Sequence, residues 1–431
     1  MDAAAVALIA LLVFVWGLFS ARFARADLSA PIVFVAVGLI LSELTHSIDP
    51  ELSHEAVKII AEVTLVWVLF ADAARVRLRD LRADLGLYTR LLAVGLPLTM
   101  AAGTLLAMVL FDGMGGWMAL LVGAALAPTD AALGAAVMTN PAVPERVRRV
   151  LNVESGLNDG IATPVVTVAI AGAAAAAGVQ GAPSPSGAIA DLAIGLAGGV
   201  LVGVVGGLSM RTARRRGWAT EDLAGPGVLA LAVAAYAGTL WLGGNGFVAA
   251  FVAGLAFGNF AGRGGVKEVF YVEQTAGLIS LVTWLIFGAV AVPTVFEHTD
   301  WQVIGYAILS LTVVRMLPVA LALAGSGQSR STVYFIGWFG PRGLASIIFA
   351  VIALEDLHAE ADQAVAVIGM TVLLSVLAHG LSAKPLATRY GATVADLTQP
   401  TGAGLTQPAV RGLLRRHPHP ASTTSPDGTV R

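Results

Sequence analysis

Apolar runs of roughly 16 to 26 residues recur along this chain, each long enough for a helix that crosses a bilayer straight, tilted or interrupted. They fall at about 3–20, 30–44, 55–73, 86–111, 115–139, 152–178, 187–210, 224–242, 246–260, 269–291, 302–325, 331–354 and 362–383. The pattern predicts an all-α membrane protein with thirteen transmembrane helices in a domain covering 1–385.

The polar positions between the runs carry a one-sided charge map. All but four of the 26 Lys and Arg residues lie in alternate loops and the tail. The groups are Arg22 and Arg25; Arg75, Arg77, Arg79 and Arg82; Arg146, Arg148 and Arg149; Arg211, Arg214, Arg215 and Arg216; Arg263 and Lys267; Arg330; and the basic residues from Lys384 onward. The intervening loops carry Asp49, Glu51, Asp112, Glu297, Asp300, Asp356, Glu360 and Asp362 instead. Basic loops stay in the cytoplasm, which places the N-terminus outside and the C-terminus inside and requires an odd number of spans. Of the four exceptions, Lys58 and Arg90 are near helix ends and are expected to snorkel to the headgroups. Arg315 and Arg342 are deep in spans and need partners.

Composition narrows the class further. Of 431 residues, 57% are apolar and 13% charged, against about 25% charged in soluble domains, and mean hydropathy is +0.80. A net charge of −2 gives no electrostatic footprint for a nucleic-acid partner. The absence of cysteine excludes disulfides and thiol chemistry. Asp2 replaces the basic start of a signal peptide, so the first run is expected to remain as a helix. Residues 386–431 are rich in Pro, Thr, Ser, Gly and Arg and read as a disordered cytoplasmic tail.

Ionisable groups at membrane depth cost at least about 2.5–3.5 kcal/mol each and usually mark ion or proton routes. The candidates are Glu62, Asp72, Asp130, Glu154, Asp159, Arg315 and Arg342. Pro128, in Ala127-Pro128-Thr129-Asp130, should break the fifth span. A broken spanning helix persists where its freed carbonyls line a protein-buried or wet cavity, so Asp130 faces loose carbonyls such as that of Thr129. In the sixth span, Ser155 and Asp159 are four apart and share a helix face, as do Glu154 and Asn158 on the neighbouring face. Hydroxyl, carboxylate and carbonyl together form an all-oxygen cage suited to a hard monovalent cation. Pro341, in Gly340-Pro341-Arg342-Gly343, predicts a second break in the twelfth span, which supplies Arg342 as a partner for Glu154. Two opposed broken helices, one per half, are the sign of an inverted-repeat secondary transporter with its site near the midplane. His379 reads as a helix-end residue, and Asp72 as a funnel residue or a solvated helix end.

Taken in order, Pro128–Asp130, Glu154–Asp159 and Gly340–Gly343 resemble the monovalent cation/proton antiporter family 1, over about residues 1–385. The resemblance implies a homodimer in a prokaryotic inner membrane and two crossed, partly unwound helices, the fifth and twelfth. It also implies a six-helix core (about 86–178 and 302–383), the remainder serving dimerisation. On that pattern Asp159 is the essential cation and proton carboxylate, with Na+ at Asp130, Asp159, Ser155 and Thr129. Asn158 belongs to an Asn-Asp pair associated with electroneutral exchange. Glu154 and Arg342 form a structural ion pair, and Arg315 is a further family arginine. Asp72 stands where many members have Glu, one methylene longer. The cargo implied is Na+ (or Li+ or K+) against H+, with no cofactor. A channel would need a continuous pore and a filter signature. An intramembrane enzyme would need a motif such as His-Glu-X-X-His or Gly-X-Ser-X-Gly, and Val153–Leu157 does not supply the latter.

Overall fold

A computed structural model describes residues 3–25, 28–45, 54–131, 133–178, 185–262 and 265–398, and every regular element among them is helical. The order is α1 Ala3–Arg25, α2 Ala30–Thr45, α3 His54–Arg75, α4 Leu85–Leu110, α5 Gly116–Ala125, α6 Ala135–Met138, α7 Glu145–Ala176 and α8 Pro185–Arg215. There follow α9 Glu221–Trp241, α10 Gly246–Phe260, α11 Gly265–Glu297, α12 Trp301–Ala322, α13 Arg330–Trp338, α14 Leu344–Leu357 and α15 Asp362–Thr398. Eight of the described helices are long and apolar enough to cross a membrane, and shorter apolar helices lie at Ala30–Ser42, Gly116–Ala125 and Gly246–Phe260.

The helices pack most closely in two groups. In one, α10 lies against α8, α9 and α3, and α11 lies against α3, α2 and α9. In the other, α5 lies against α4 and α7, and α15 lies against α12 and α14. The groups meet where α7 touches α3, α8 and α10, and where α14 touches α3. Small residues set the spacing in the first group. A Cβ on Gly195, Gly199 or Gly203 of α8 would overlap the main-chain carbonyls of Asn245, Ala249 or Ala253, and Gly254 and Gly258 of α10 sit equally close to Phe70 and Ala74 of α3. Such close backbone approach is the usual way membrane helices associate.

Both predicted breaks lie in gaps between helices. α5 stops at Ala125, ahead of Pro128, because proline clashes with the carbonyl four residues back and drives its predecessor out of the helical region. α13 stops at Trp338 and α14 starts at Leu344, with Pro341 in the gap. A third irregularity has no proline at its centre. Thr312 leaves helical geometry at φ −107°, ψ −89° inside α12.

Three sequence expectations are corrected. α15 continues to Thr398, so residues 386–398 are helical and not part of a disordered tail. Tyr390 explains this, since it stacks on Phe335 with ring centroids 4.1 Å apart and its hydroxyl is 2.9 Å from Thr332 Oγ1. Residues 399–431, like Asp49 and Glu51, lie outside the described residues. Lys58 and Arg90 do not simply snorkel. Lys58 Nζ donates to Asp356 at 2.9 Å, and Arg90 Nη1 donates to the carbonyls of Ala322 and Ala324, capping the end of α12. His379 is not at a helix end but inside the long α15, with 1% of its surface exposed.

Candidate functional site

The two gaps are hydrogen bonded to each other. Asp130 N–H donates to Pro341 O at 2.8 Å, and Leu344 N–H donates to Asp130 Oδ2 at 3.0 Å. Asp130 Oδ1 accepts from Leu133 N–H at 3.2 Å. The Asp130 carboxylate therefore sits at the N-terminus of α14, where unpaired amides and the helix dipole favour a negative charge. Gly343 makes this approach possible, because a Cβ there would overlap the Asp130 carboxylate.

The carbonyls freed by the first gap have side-chain donors. Arg342 Nη1 donates to Ala127 O at 2.8 Å and to Pro128 O at 3.1 Å, and Ser346 Oγ donates to Ala125 O at 2.7 Å. This corrects the expected Glu154–Arg342 pair. Glu154 Oε1 instead accepts from Arg315 Nη2 at 2.6 Å, with both side chains almost fully buried. Arg342 is drawn to the carbonyls that the Pro128 break leaves without amides, and Arg315 reaches Glu154 from α12. Glu154 and Arg315 both remain close enough to Arg342 to act on its charge.

Thr129, Ser155 and Asn158 come together. Thr129 Oγ1 is 2.9 Å from Ser155 Oγ and accepts from Asn158 Nδ2 at 2.7 Å. All three are buried, and Asn158 Oδ1 is left without a donor. Asp159, 9% exposed, lies next along α7. Among the described residues no hydrogen-bond donor reaches its carboxylate, and Asp72 and Asp130 are the acidic groups whose charges act on it. No cluster of three or more His, Asp or Glu side chains among the described residues is arranged for a metal ion.

Two clefts open beside α7. The first, about 170 Å³, is lined by Asp72, Arg75, Tyr88, Ala131, Asn152 and Gly156 among others. The second, about 590 Å³, is lined by Glu62, Thr167, Ile170, Asp191, Glu355 and Asp356 among others. From Gly156 to Thr167 is about 16 Å along the helix axis, and Asp159 and Thr163 fall between. Phe251 of α10 packs against Gly160 in that stretch, where a Cβ would overlap its ring. Asp72 thus opens onto the first cleft beside Gly156.

Comparison with known proteins follows the same lines. A family model described as sodium/hydrogen exchanger, transmembrane, matches residues 7–389. The chain belongs to the sodium/hydrogen exchanger family. This multi-pass membrane protein is 26% identical over 378 residues to the K(+)/H(+) antiporter NhaP2 of Shewanella baltica, covering 86% of this chain and 64% of that protein. The chain thus spans just under two thirds of that relative's length. It is also 26% identical over 392 residues to the Na(+)/H(+) antiporter ApNhaP of Aphanothece halophytica, covering 86% and 71%. The solved structure of the sodium proton antiporter MjNhaP1 from Methanocaldococcus jannaschii matches with a TM-score of 0.75 at 21% identity, over 90% of this chain and 99% of that one. The exchanger fold is shared with it.

Ser346, Ser375 and His379 were not singled out as site residues by the sequence. The only available signal was the spacing of Ser375, His379 and Ser382, which puts them on one helix face.

Proposed function

We propose that this protein exchanges a monovalent cation, Na+, for H+ across a prokaryotic inner membrane, and that both compete for Asp159. The observation that carries the reading is a buried carboxylate that no donor among the described residues reaches, next along α7 from Asn158 and between two clefts on one helix. A carboxylate in that position needs a counter-charge, which a proton or a metal cation supplies but not both at once. Asp130 is already held by two amides, so a single carboxylate changes its load, which favours one-for-one, electroneutral exchange.

On this reading thirteen spans cross the membrane, with crossed, partly unwound helices at the Pro128 and Pro341 breaks. The cleft lined by Arg75, Arg77 and Arg149 faces the cytoplasm, as the positive-inside rule requires, and the acidic cleft faces outside. Alternating access then moves Asp159 between the two. The core helices 86–178 and 302–383 act as the moving part, and the remainder forms the homodimer contact. Asp72 lines the cytoplasmic route without needing to touch the ion.

The test is reconstitution in liposomes with a pH-reporting dye, adding Na+, Li+ and K+ in turn. Asp159→Asn is expected to abolish exchange, and an imposed membrane potential to leave the rate nearly unchanged. Retained transport in Asp159→Asn defeats the assignment. K+/H+ exchange is the second reading, favoured by the K(+)/H(+) antiporters among the relatives. A response to K+ and not to Na+ selects it.

A further inference from the structure

α15 holds the second gap from both sides through one polar stripe. Trp338, the last residue of α13, presents its carbonyl 2.8 Å from His379 Nε2. Arg342 N–H, just before α14, donates to Ser375 Oγ at 2.6 Å. His379 Nδ1 lies 3.2 Å from that same hydroxyl and 2.9 Å from the Ser375 carbonyl. Trp338 Nε1–H donates to Ser382 Oγ at 3.0 Å, and the Trp338 ring lies over the imidazole at 5.2 Å between centroids. Ser375, His379 and Ser382 are spaced by four and three, so one face of α15 carries all three. Ser375 and His379 are essentially inaccessible.

Hydrogen-bond chemistry orders the contacts. A carbonyl only accepts, so the hydrogen on Nε2 goes to Trp338 O. The Ser375 hydroxyl accepts from Arg342 N–H, and Nδ1 sits against both that hydroxyl and the Ser375 carbonyl. The imidazole therefore links the end of α13 to the residue two before α14. Between these anchors lies Pro341, whose carbonyl holds Asp130 N–H, and just beyond them lies Leu344, whose N–H holds the Asp130 carboxylate. Phe339 N–H and Gly343 O still join the ladders of α13 and α14, and the groups between them have no such ladder to fix them.

The geometry points to His379 as a positioning residue for transport: together with Ser375 it sets the 339–343 segment against Asp130, and through Asp130 it sets the field at Asp159. The inference rests on the proposed site at Asp159.

The experiment compares His379→Leu, His379→Gln and Ser375→Ala with the unaltered protein in liposomes, reading KM and kcat for Na+-driven proton movement against the amount of folded, monodisperse protein. Leu has the bulk but neither bond, and is expected to raise the KM about tenfold, the scale of one lost buried hydrogen bond. Gln keeps a donor for Trp338 O and is expected to stay within about threefold of the unaltered KM, a fraction of that loss. Ser375→Ala is expected to raise the KM in the same direction as Leu and carries the test alone if the Leu variant does not fold. Unchanged KM in both Leu and Ala variants, or Gln as impaired as Leu, overturns the assignment. Asp159→Asn keeps the two readings apart. If it abolishes exchange while the clamp variants behave normally, the clamp alone fails. If it leaves exchange intact, the site reading fails and takes this inference with it, whatever the Leu variant shows.

Discussion

Glu154 bonds to Arg315 and not to Arg342, and double-mutant cycles can read that choice. The Glu154–Arg315 contact is 2.6 Å long with 1% and 3% of the two side chains exposed. Glu154→Gln would leave Arg315 charged, buried and unpaired, and removing one member of a buried pair costs about 3–5 kcal/mol. Arg315→Gln strands the carboxylate and is expected to cost a similar amount. In the double variant both charges are gone and the two amides can bond to each other. The double cost should then fall short of the sum by about 2–3 kcal/mol, the upper range of couplings between touching residues. Arg342→Gln acts differently. It removes two charge-assisted bonds to the carbonyls of Ala127 and Pro128, worth about 1.5–3 kcal/mol each. Its coupling to Glu154→Gln is expected to be the smaller one, because no hydrogen bond joins the pair. Denaturant unfolding in detergent, followed by tryptophan fluorescence, gives all the terms. A larger coupling to Arg342 than to Arg315, or strict additivity at Arg315, would refute the partner exchange.

Gly343→Ala should destabilise the protein and lower transport together, because the added methyl meets the Asp130 carboxylate; overpacking of this kind costs about 1–3 kcal/mol, and thermal unfolding beside dye-based exchange checks both effects. Ser346→Ala should lose about 1–2 kcal/mol by leaving Ala125 O without its donor, read by the same unfolding assay. Lys58→Ala should cost at most about 1 kcal/mol, because its bridge to Asp356 is roughly a third exposed on each side, and a loss several times larger would mean that this contact governs folding.

The two gaps were legible because proline acts locally, through a missing donor and a clash with the preceding turn. Pro128 and Pro341 announce themselves without any knowledge of the surroundings. The hydroxyl and amide that meet Thr129 were also within reach, since Ser155 and Asn158 lie within a turn of Asp159. Partner choice was not. Arg315 and Arg342 look alike in sequence, and what separates them is which guanidinium lands beside the orphaned carbonyls. Asp130 shows the same limit, because its amide donor Leu344 is 214 residues away. Thr312 gave no warning either, since a threonine inside an apolar run is ordinary. Tyr390 kept a polar-looking segment helical through one aromatic stack, a contact that composition does not record.

The glycine seams joining α3, α8 and α10 have a mechanical consequence. Main chain rests directly on main chain there, and the nearest atom across each contact is a carbonyl oxygen, which has no rotamer to change. That panel is stiff, and a shape change in this molecule has to be taken up at its irregular joints. Thr312, the wide turns at Arg90–Gly95 and Phe287–Ala291 and the proline gaps are the places with give. A methyl group at Gly199 would act as a wedge in the rigid wall, while the same addition at Gly277, which has open space around it, would pass unnoticed.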